Sequence, residues 1–167
     1  MKEDRKKLCM SFSKFLLFLI ILFSMVSFSE AQSKRKRKII IAAVTEARTY
    51  RGTPYVYGGM SRSGIDCSGL MYNCFKEVGI DLPRIAKEQS KVGRKKGWGR
   101  IRPGDIVYFK FKEKGKKKWW HSGMITDTSD PDNIRFIHAS TSRGVVESTL
   151  NHDYYKDNVK KFRRVIK

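Results

Sequence analysis

The chain has 167 residues and a net charge of +20, from 36 Lys and Arg against 16 Asp and Glu. That length suits one domain large enough to bury a real core, and nothing in it reads as an internal repeat or a second domain. The surplus of positive charge points to a polyanionic neighbour, although any single lysine reads best as part of a solvated face.

Residues 1–14 are basic on balance, and residues 15–28 are an unbroken run of apolar residues and serines. Ser29-Glu30-Ala31 then puts small residues where a signal peptidase reads. Residues 1–31 therefore have the pattern of a secretory signal peptide cut after Ala31. The apolar run falls short of the roughly 20 residues that span a bilayer, so an uncleaved anchor is the weaker reading. Cys9 precedes the run and cannot be the lipid-bearing cysteine that follows a lipoprotein signal. Removing residues 1–31 takes away five basic and three acidic residues and leaves +18. Wall carboxylates, anionic lipids, teichoic acid, lipopolysaccharide or nucleic acid would each satisfy such a charge, which alone does not choose among them.

Residues 32–38 (QSKRKRK) read as a basic, flexible leader. IIIAAVTEARTY, from Ile39, has the spacing of a helix, stopped by Arg51-Gly52-Thr53-Pro54. TPYVYGGMSRSG is a glycine-rich loop with aromatic punctuation. CSGLMYNCFKEVG reads as a helix, with Leu70, Cys74 and Val78 at helical spacing, Met71 and Phe75 beside them, and Gly79 as its stop. IAKEQSKVG is a second, more polar helix. From Arg102 the period changes to alternation. RPGDIVYFKF is a turn and a strand, KEKGKKKWW a charged hairpin tip, and HSGMIT, IRFIHAS, GVVEST and FRRVI are further short strands. Trp119 and Trp120 are adjacent on a strand and face opposite sides, so at least one of them packs. His152 reads as a surface residue. Helices first and strands after, with hairpin-length links, predict an α+β domain with an antiparallel sheet rather than alternating βαβ units.

Beyond Cys9, the cysteines are Cys67 and Cys74. On one helix, seven residues separate their Cα atoms by roughly 10 Å, beyond the approximately 7 Å reach of a disulfide. A metal site is disfavoured because the cysteines are not spaced as C-x₂-C and the histidines stand singly at 121, 138 and 152. Cys74 lies on the apolar face and reads as a small buried hydrophobe. Cys67 opens the helix, where partial positive charge favours thiolate and free N–H groups can hold an oxyanion. It is a candidate nucleophile, with an inert structural cysteine as the competing reading. His121 opens the strand HSGMIT and His138 closes IRFIHAS. If those strands are antiparallel neighbours, both imidazoles reach one end of the sheet, where the start of the Cys67 helix can pack.

The segments TPYVYGGMSRSGIDCSGLMY, LPR, RPGDIVYFK, HSGMIT and FIHASTSRGVV resemble, in order and spacing, the NlpC/P60 family of cell-wall cysteine peptidases. The resemblance runs from about Ile39 to Ile166, and the exported single-domain form is similar to the small Spr-type murein endopeptidases. It implies a papain-like α+β fold over residues 39–167, with N-terminal helices packed on an antiparallel sheet and the nucleophile at the start of a central helix. Carried over residue by residue, Cys67 matches the nucleophile, His121 the general base, and His138 the polar residue that orients it. Tyr55 matches a tyrosine that assists the oxyanion hole. Asp66 and Ser68 match a subsite that takes the free amine of L-Ala in the stem peptide. The bond implied is that between γ-D-glutamate and the diamino acid, cut through an acyl-enzyme, with no cofactor and no metal.

The implied partners are peptidoglycan stem peptides, with anionic envelope polymers or a membrane surface reached through the basic patches. No nucleic-acid role is implied, and the enzyme is expected to be a monomer in the periplasm or outside the cell. The turn TDTSDPDN between His121 and His138 is longer than the family pattern leads one to expect and reads as a loop extension. The basic aromatic tip before His121 reads as a solvated hairpin or as a clamp on glycan or anionic polymer. Two competing functions are a CHAP-type N-acetylmuramoyl-L-alanine amidase and a non-catalytic basic envelope-binding protein.

Overall fold

The computed structural model describes residues 28–112 and 119–166. Most of the expected signal peptide and most of the lysine-rich tip lie outside the described residues. The chain divides into two units, Met1–Lys38 and Ile39–Lys167. In the first, residues 28–38 are helical and exposed, whereas a flexible leader was expected over residues 32–38. The difference has a local cause: the segment has no Gly or Pro, its Lys, Arg and Gln are good helix formers, and Glu30 pairs with Lys34 one turn on at 2.7 Å. Among the described residues no helix is long and apolar enough to cross a membrane.

The second unit opens with α1, residues 39–49, which buries Ala43, Val44 and Ala47. The glycine-rich segment after it is partly ordered as a hairpin, β1 (Met60–Ser61) with β2 (Gly64–Ile65). Next comes α2 (Cys67–Glu77), ended at Gly79, whose φ of 74° a side chain would oppose. The second predicted helix shrinks to one turn, α3 (Ala86–Gln89). It is followed by β3 (Arg94–Lys96) and a 3₁₀ turn at Trp98–Arg100, which the polar, glycine-broken sequence did not announce. The remaining elements are β4 (Ile106–Phe111), β5 (Trp119–Asp127), β6 (Arg135–Ser140), β7 (Gly144–Thr149), the single turn α4 (Asp153–Lys156) and β8 (Val159–Arg164). Six strands make one antiparallel sheet in the order β3-β8-β4-β5-β6-β7.

Strand alternation sorts this sheet into two cores. Ile106 and Tyr108 of β4, Met124 of β5 and Ile137 and Ala139 of β6 join Leu70, Met71, Cys74 and Phe75 of α2 in the first. Val107, Phe109 and Phe111 face the other way and pack with Ile125, Phe136, Leu150 and Phe162 in the second. Trp119 and Trp120 divide as their adjacency requires, one against each core. The extended turn 128–134 is held by Asp127 and Asp130, whose carboxylates accept from the N–H groups of Ser129 and Asp132. It lies at the end of the β5–β6 hairpin away from both histidines, so its length leaves them in register.

Asp105, at the entry to β4, is 1% exposed and receives a two-pronged contact from Arg164 of β8, Nε and Nη2 each at 2.7 Å. It also accepts from the N–H of Arg102. Asp105→Ala would leave the partly buried Arg164 guanidinium with only its contact to the carbonyl of Arg100, a loss of about 1–3 kcal/mol. Urea unfolding should show a lower midpoint with an unchanged slope.

Candidate active site

Asp66 caps α2: its Oδ1 accepts from the N–H of Gly69 at 2.6 Å. The same carboxylate accepts from the Gly58 N–H, the Ser68 hydroxyl, and Nη1 and Nη2 of Arg84 at 3.0 and 2.7 Å. Five donors fill the roughly four lone-pair sites of a carboxylate. Burial pushes the carboxyl pKa up, but Arg84 and the Gly69 and Ser68 donors outweigh it and hold the group below its ordinary value. Gly69 is where the chain needs a glycine, because a Cβ there would stand 2.5 Å from the carbonyl oxygen of Gly59. The glycine-rich loop and the start of α2 are thereby clamped together around Asp66.

Cys67 is the first residue of α2, 7% exposed, and is a free thiol, as is Cys74 three residues from the helix end in the first core. Burial pushes the Cys67 thiol up, while the backbone N–H and hydroxyl of Ser122 favour its thiolate. The Ser122 hydroxyl is buried and makes no hydrogen bond among the described residues. A strand N–H lies in the plane of its sheet, so Cys67 sits along the flank of β5 rather than over one face. Tyr55 is positioned by a parallel bridge to Ile65. Burial first, then the Cys67 and Asp66 charges, push its phenol up to about 12, so it stays a hydrogen-bond donor.

His121 follows Trp119 and Trp120 into β5 and precedes the Ser122 that meets Cys67. Its Nε2 lies 2.9 Å from Nδ1 of His138 on β6, the rings nearly perpendicular at 87°. Nε2 of His138 lies 3.1 Å from Ser148 Oγ and 3.3 Å from the Tyr155 hydroxyl. Arg143 Nη2 donates to the same Ser148 Oγ at 3.4 Å. Ser148 Oγ accepts from Arg143 and keeps an O–H and a second lone pair, so it can meet His138 Nε2 in either tautomer. With the proton on His138 Nε2, Nδ1 of His138 accepts from His121 Nε2–H, and Nδ1 of His121 is left as the basic lone pair. No described residue hydrogen-bonds that Nδ1. Burial lowers His121 to about 4. Burial, the neighbouring imidazole and Arg143 lower His138 in turn. Gly123 makes room for the pair, since a Cβ there would come within 2.7 Å of Phe136 and 3.1 Å of His138 Cβ.

The structure thus puts His121 against His138, and it puts Cys67, Tyr55, Asp66 and Ser68 together around the start of α2. The two groups meet at Ser122, and no hydrogen bond joins Cys67 to His121 in this arrangement. Arg84, Ser122, Arg143, Ser148 and Tyr155 were not singled out from the sequence, although Arg84 in LPR, Ser122 in HSGMIT and Arg143 in FIHASTSRGVV lay in segments that carry the resemblance. His152 is exposed and caps α4 through its ring nitrogen. Among the described residues no group of three or more His, Cys, Asp or Glu is placed to hold a metal ion.

Residues 52–164 match the NlpC/P60 family. The murein DD-endopeptidase MepS/murein LD-carboxypeptidase of Escherichia coli is 36% identical over 118 residues, 70% of this chain and 58% of that protein. The gamma-DL-glutamyl hydrolase of Bacillus subtilis is 41% identical over 126 residues, 74% of this chain and 29% of that one. The chain thus spans less than two thirds of the length of either relative. A crystal structure of an NlpC/P60 family protein from Bacillus cereus superposes with a TM-score of 0.67 at 25% identity, covering 77% of this chain and 40% of its own.

Both imidazoles are neutral in the folded protein and become charged only at lower pH than an unfolded histidine, whose value is about 6.5. A depressed folded pKa means that the unfolded chain takes up protons first. The contribution to stability is therefore complete above about 6.5 and is lost as pH falls toward the His121 value of about 4. The thermal midpoint should fall across that window. His138→Asn, which cannot be protonated, should flatten the fall; an equally steep fall in the variant would show that His138 is not its source.

Proposed function

Because the chain belongs to the NlpC/P60 family, we propose that it is an exported cysteine peptidase that cuts peptidoglycan stem peptides between γ-D-glutamate and the diamino acid. The enzyme is a peptidoglycan hydrolase by family and by its murein-endopeptidase relative. The observation that supports the finer reading is the hydrogen-bonded pair of imidazoles, one residue along β5 from Ser122, whose N–H and hydroxyl favour the Cys67 thiolate.

In this reading His121 Nδ1 takes the thiol proton as the sulfur attacks the scissile carbonyl. The tetrahedral oxyanion is met by N–H groups at the start of α2 and by the Tyr55 hydroxyl. The imidazolium then gives its proton to the departing amine, and water hydrolyses the acyl-enzyme with His121 again as base. His138 keeps its proton on Nε2 throughout and holds the orientation of its neighbour. The free amine at the start of the stem peptide meets Asp66 and Ser68. Since that carboxylate is already saturated, Arg84 must yield one of its contacts when the ammonium arrives. The gamma-DL-glutamyl hydrolase relative favours the γ-glutamyl bond, and the name of the E. coli relative keeps a D,D bond as the competing product of the test. The signal pattern at residues 1–31 supports export to the periplasm or beyond, and the charge of +20 supports attraction to anionic envelope polymers. The proposed enzyme acts as a monomer without cofactor.

Digestion of purified peptidoglycan and defined muropeptides, with product masses, tests this. Cleavage after γ-D-glutamate should fall by about 10³-fold or more in Cys67→Ala. Cys74→Ala should remain active and lose about 1–2 kcal/mol of stability through a small core cavity. N-acetylation of the stem peptide should reduce cleavage about tenfold or more, the order expected when a charged hydrogen bond is lost. Release of D-alanyl cross-link products would move the bond, and cleavage at the muramyl–alanine junction would make the enzyme an amidase.

A further inference from the structure

A cavity of about 880 Å³ opens against His121 and His138 on the sheet face that carries the second core. Cys67, Asp66 and Ser68 are not among its walls. Phe111, Trp119 and Tyr154 give it an apolar side, and Arg135 and Arg143 stand in its polar side. The two arginines differ in what they have left to offer. Arg135 is spent on Thr149 Oγ1 at 2.9 Å and the carbonyl of Glu147 at 3.3 Å. Arg143 gives Ser148 Oγ one long contact of 3.4 Å through Nη2, and its Nε and Nη1 hydrogen-bond none of the described residues.

The carboxylate in the same wall does not neutralise Arg143. Glu147 is held by Arg48 and Arg51, both at 2.8 Å. The cavity therefore presents an exposed guanidinium fork beside the turn hydroxyls of Ser140 and Ser142. Such a fork suits a planar anion with two acceptor oxygens.

Its position says which part of a substrate would lie there. A general acid must stand beside the leaving nitrogen, so the residue bearing that nitrogen lies on the His121 side of the scissile bond. The walls contacted by His121 on this face are those of the cavity. The start of α2, with Tyr55 and Asp66, takes the acyl half.

We infer that this cavity is the subsite for the leaving half of the substrate, and that Arg143 recognises a carboxylate on the diamino acid released there. The inference rests on the peptidase reading above for the direction of the substrate. The carboxylate has two sources, the side chain of a diaminopimelate residue or the terminus of the D-alanine that follows.

Binding to the full chain, followed by NMR titration, tests the subsite without any turnover. The probes are meso-diaminopimelyl-D-alanine, L-lysyl-D-alanine and the C-terminal amide of each. If the D-alanine carboxylate is read, both free acids bind tenfold or more tighter than their amides. If the side-chain carboxylate is read, the diaminopimelyl probe binds tenfold or more tighter than the lysyl probe, whether or not it is amidated. In either case Arg143→Gln should collapse the preference to within about twofold, and Arg143→Lys should restore part of it. Equal binding of all four probes by the wild-type chain, or a preference that survives in Arg143→Gln, overturns the assignment. Failure of the peptidase reading would appear separately, as absence of Cys67-dependent cleavage in the muropeptide digest.

Discussion

The hydrogen bond between His121 Nε2 and His138 Nδ1, 2.9 Å long, ties the imidazoles of two neighbouring strands into one unit. Two imidazoles facing each other can share a proton in either sense. Ser148 accepts from Arg143 and, with Tyr155, meets Nε2 of His138. Both hydroxyls can accept the Nε2 proton or donate to a bare Nε2. In the proposed mechanism His138 carries its proton on Nε2, and the lone pair of its Nδ1 then orients His121 through Nε2–H.

Burial gives this pair its strength and its cost. Tyr155 and Phe136 pack against the His138 ring, and Phe109 and Phe111 against His121. An apolar surround excludes water from the imidazoles and lowers their affinity for a proton. A base lowered in this way stays neutral throughout the neutral range, which keeps it available. It is also a weaker base toward a thiol that burial has raised. Ser122 offsets part of that mismatch from the thiol side, through an N–H and a hydroxyl that both favour the anion. In the proposed mechanism such an arrangement suits proton transfer during attack rather than a standing ion pair.

The strands from β4 onward, α2 and the grouping of Cys67 with Asp66 and Ser68 were legible in the sequence, because alternation and helical spacing are strong where one face is buried. Trp119 and Trp120 even divide between the cores as their adjacency demands. The antiparallel pairing of β5 with β6 was a conditional expectation that the register confirms. What stayed hidden is what depends on strands distant in sequence. β3 lies at the sheet edge with three basic residues and no apolar rhythm, and it exists because β8 offers it a partner. Ser148, Tyr155 and Arg143 come to His138 through β7 and α4, and no local pattern marks a serine as the acceptor for an imidazole. The saturation of Asp66 was equally invisible, since Arg84 reaches it from 18 residues away.

The charge of the molecule and the charge of its site are separate quantities. The chain carries +20, yet the shielded carboxylates of this fold each hold their own arginine: Asp66 holds Arg84, Asp105 holds Arg164, and Glu147 holds Arg48 and Arg51. Among the described residues the surplus therefore lies on exposed Lys and Arg, where salt screens it over about 8 Å at physiological strength. Attraction to an anionic envelope should weaken steeply with salt, while the imidazole pair and the Asp66 cap, shielded from ions, should not. Arg143 stands between these two populations: it is exposed, and it is linked through Ser148 to the His138 ring. In the proposed subsite, a carboxylate that engages Arg143 would act where an outer charge touches the hydrogen bonds of the imidazole pair.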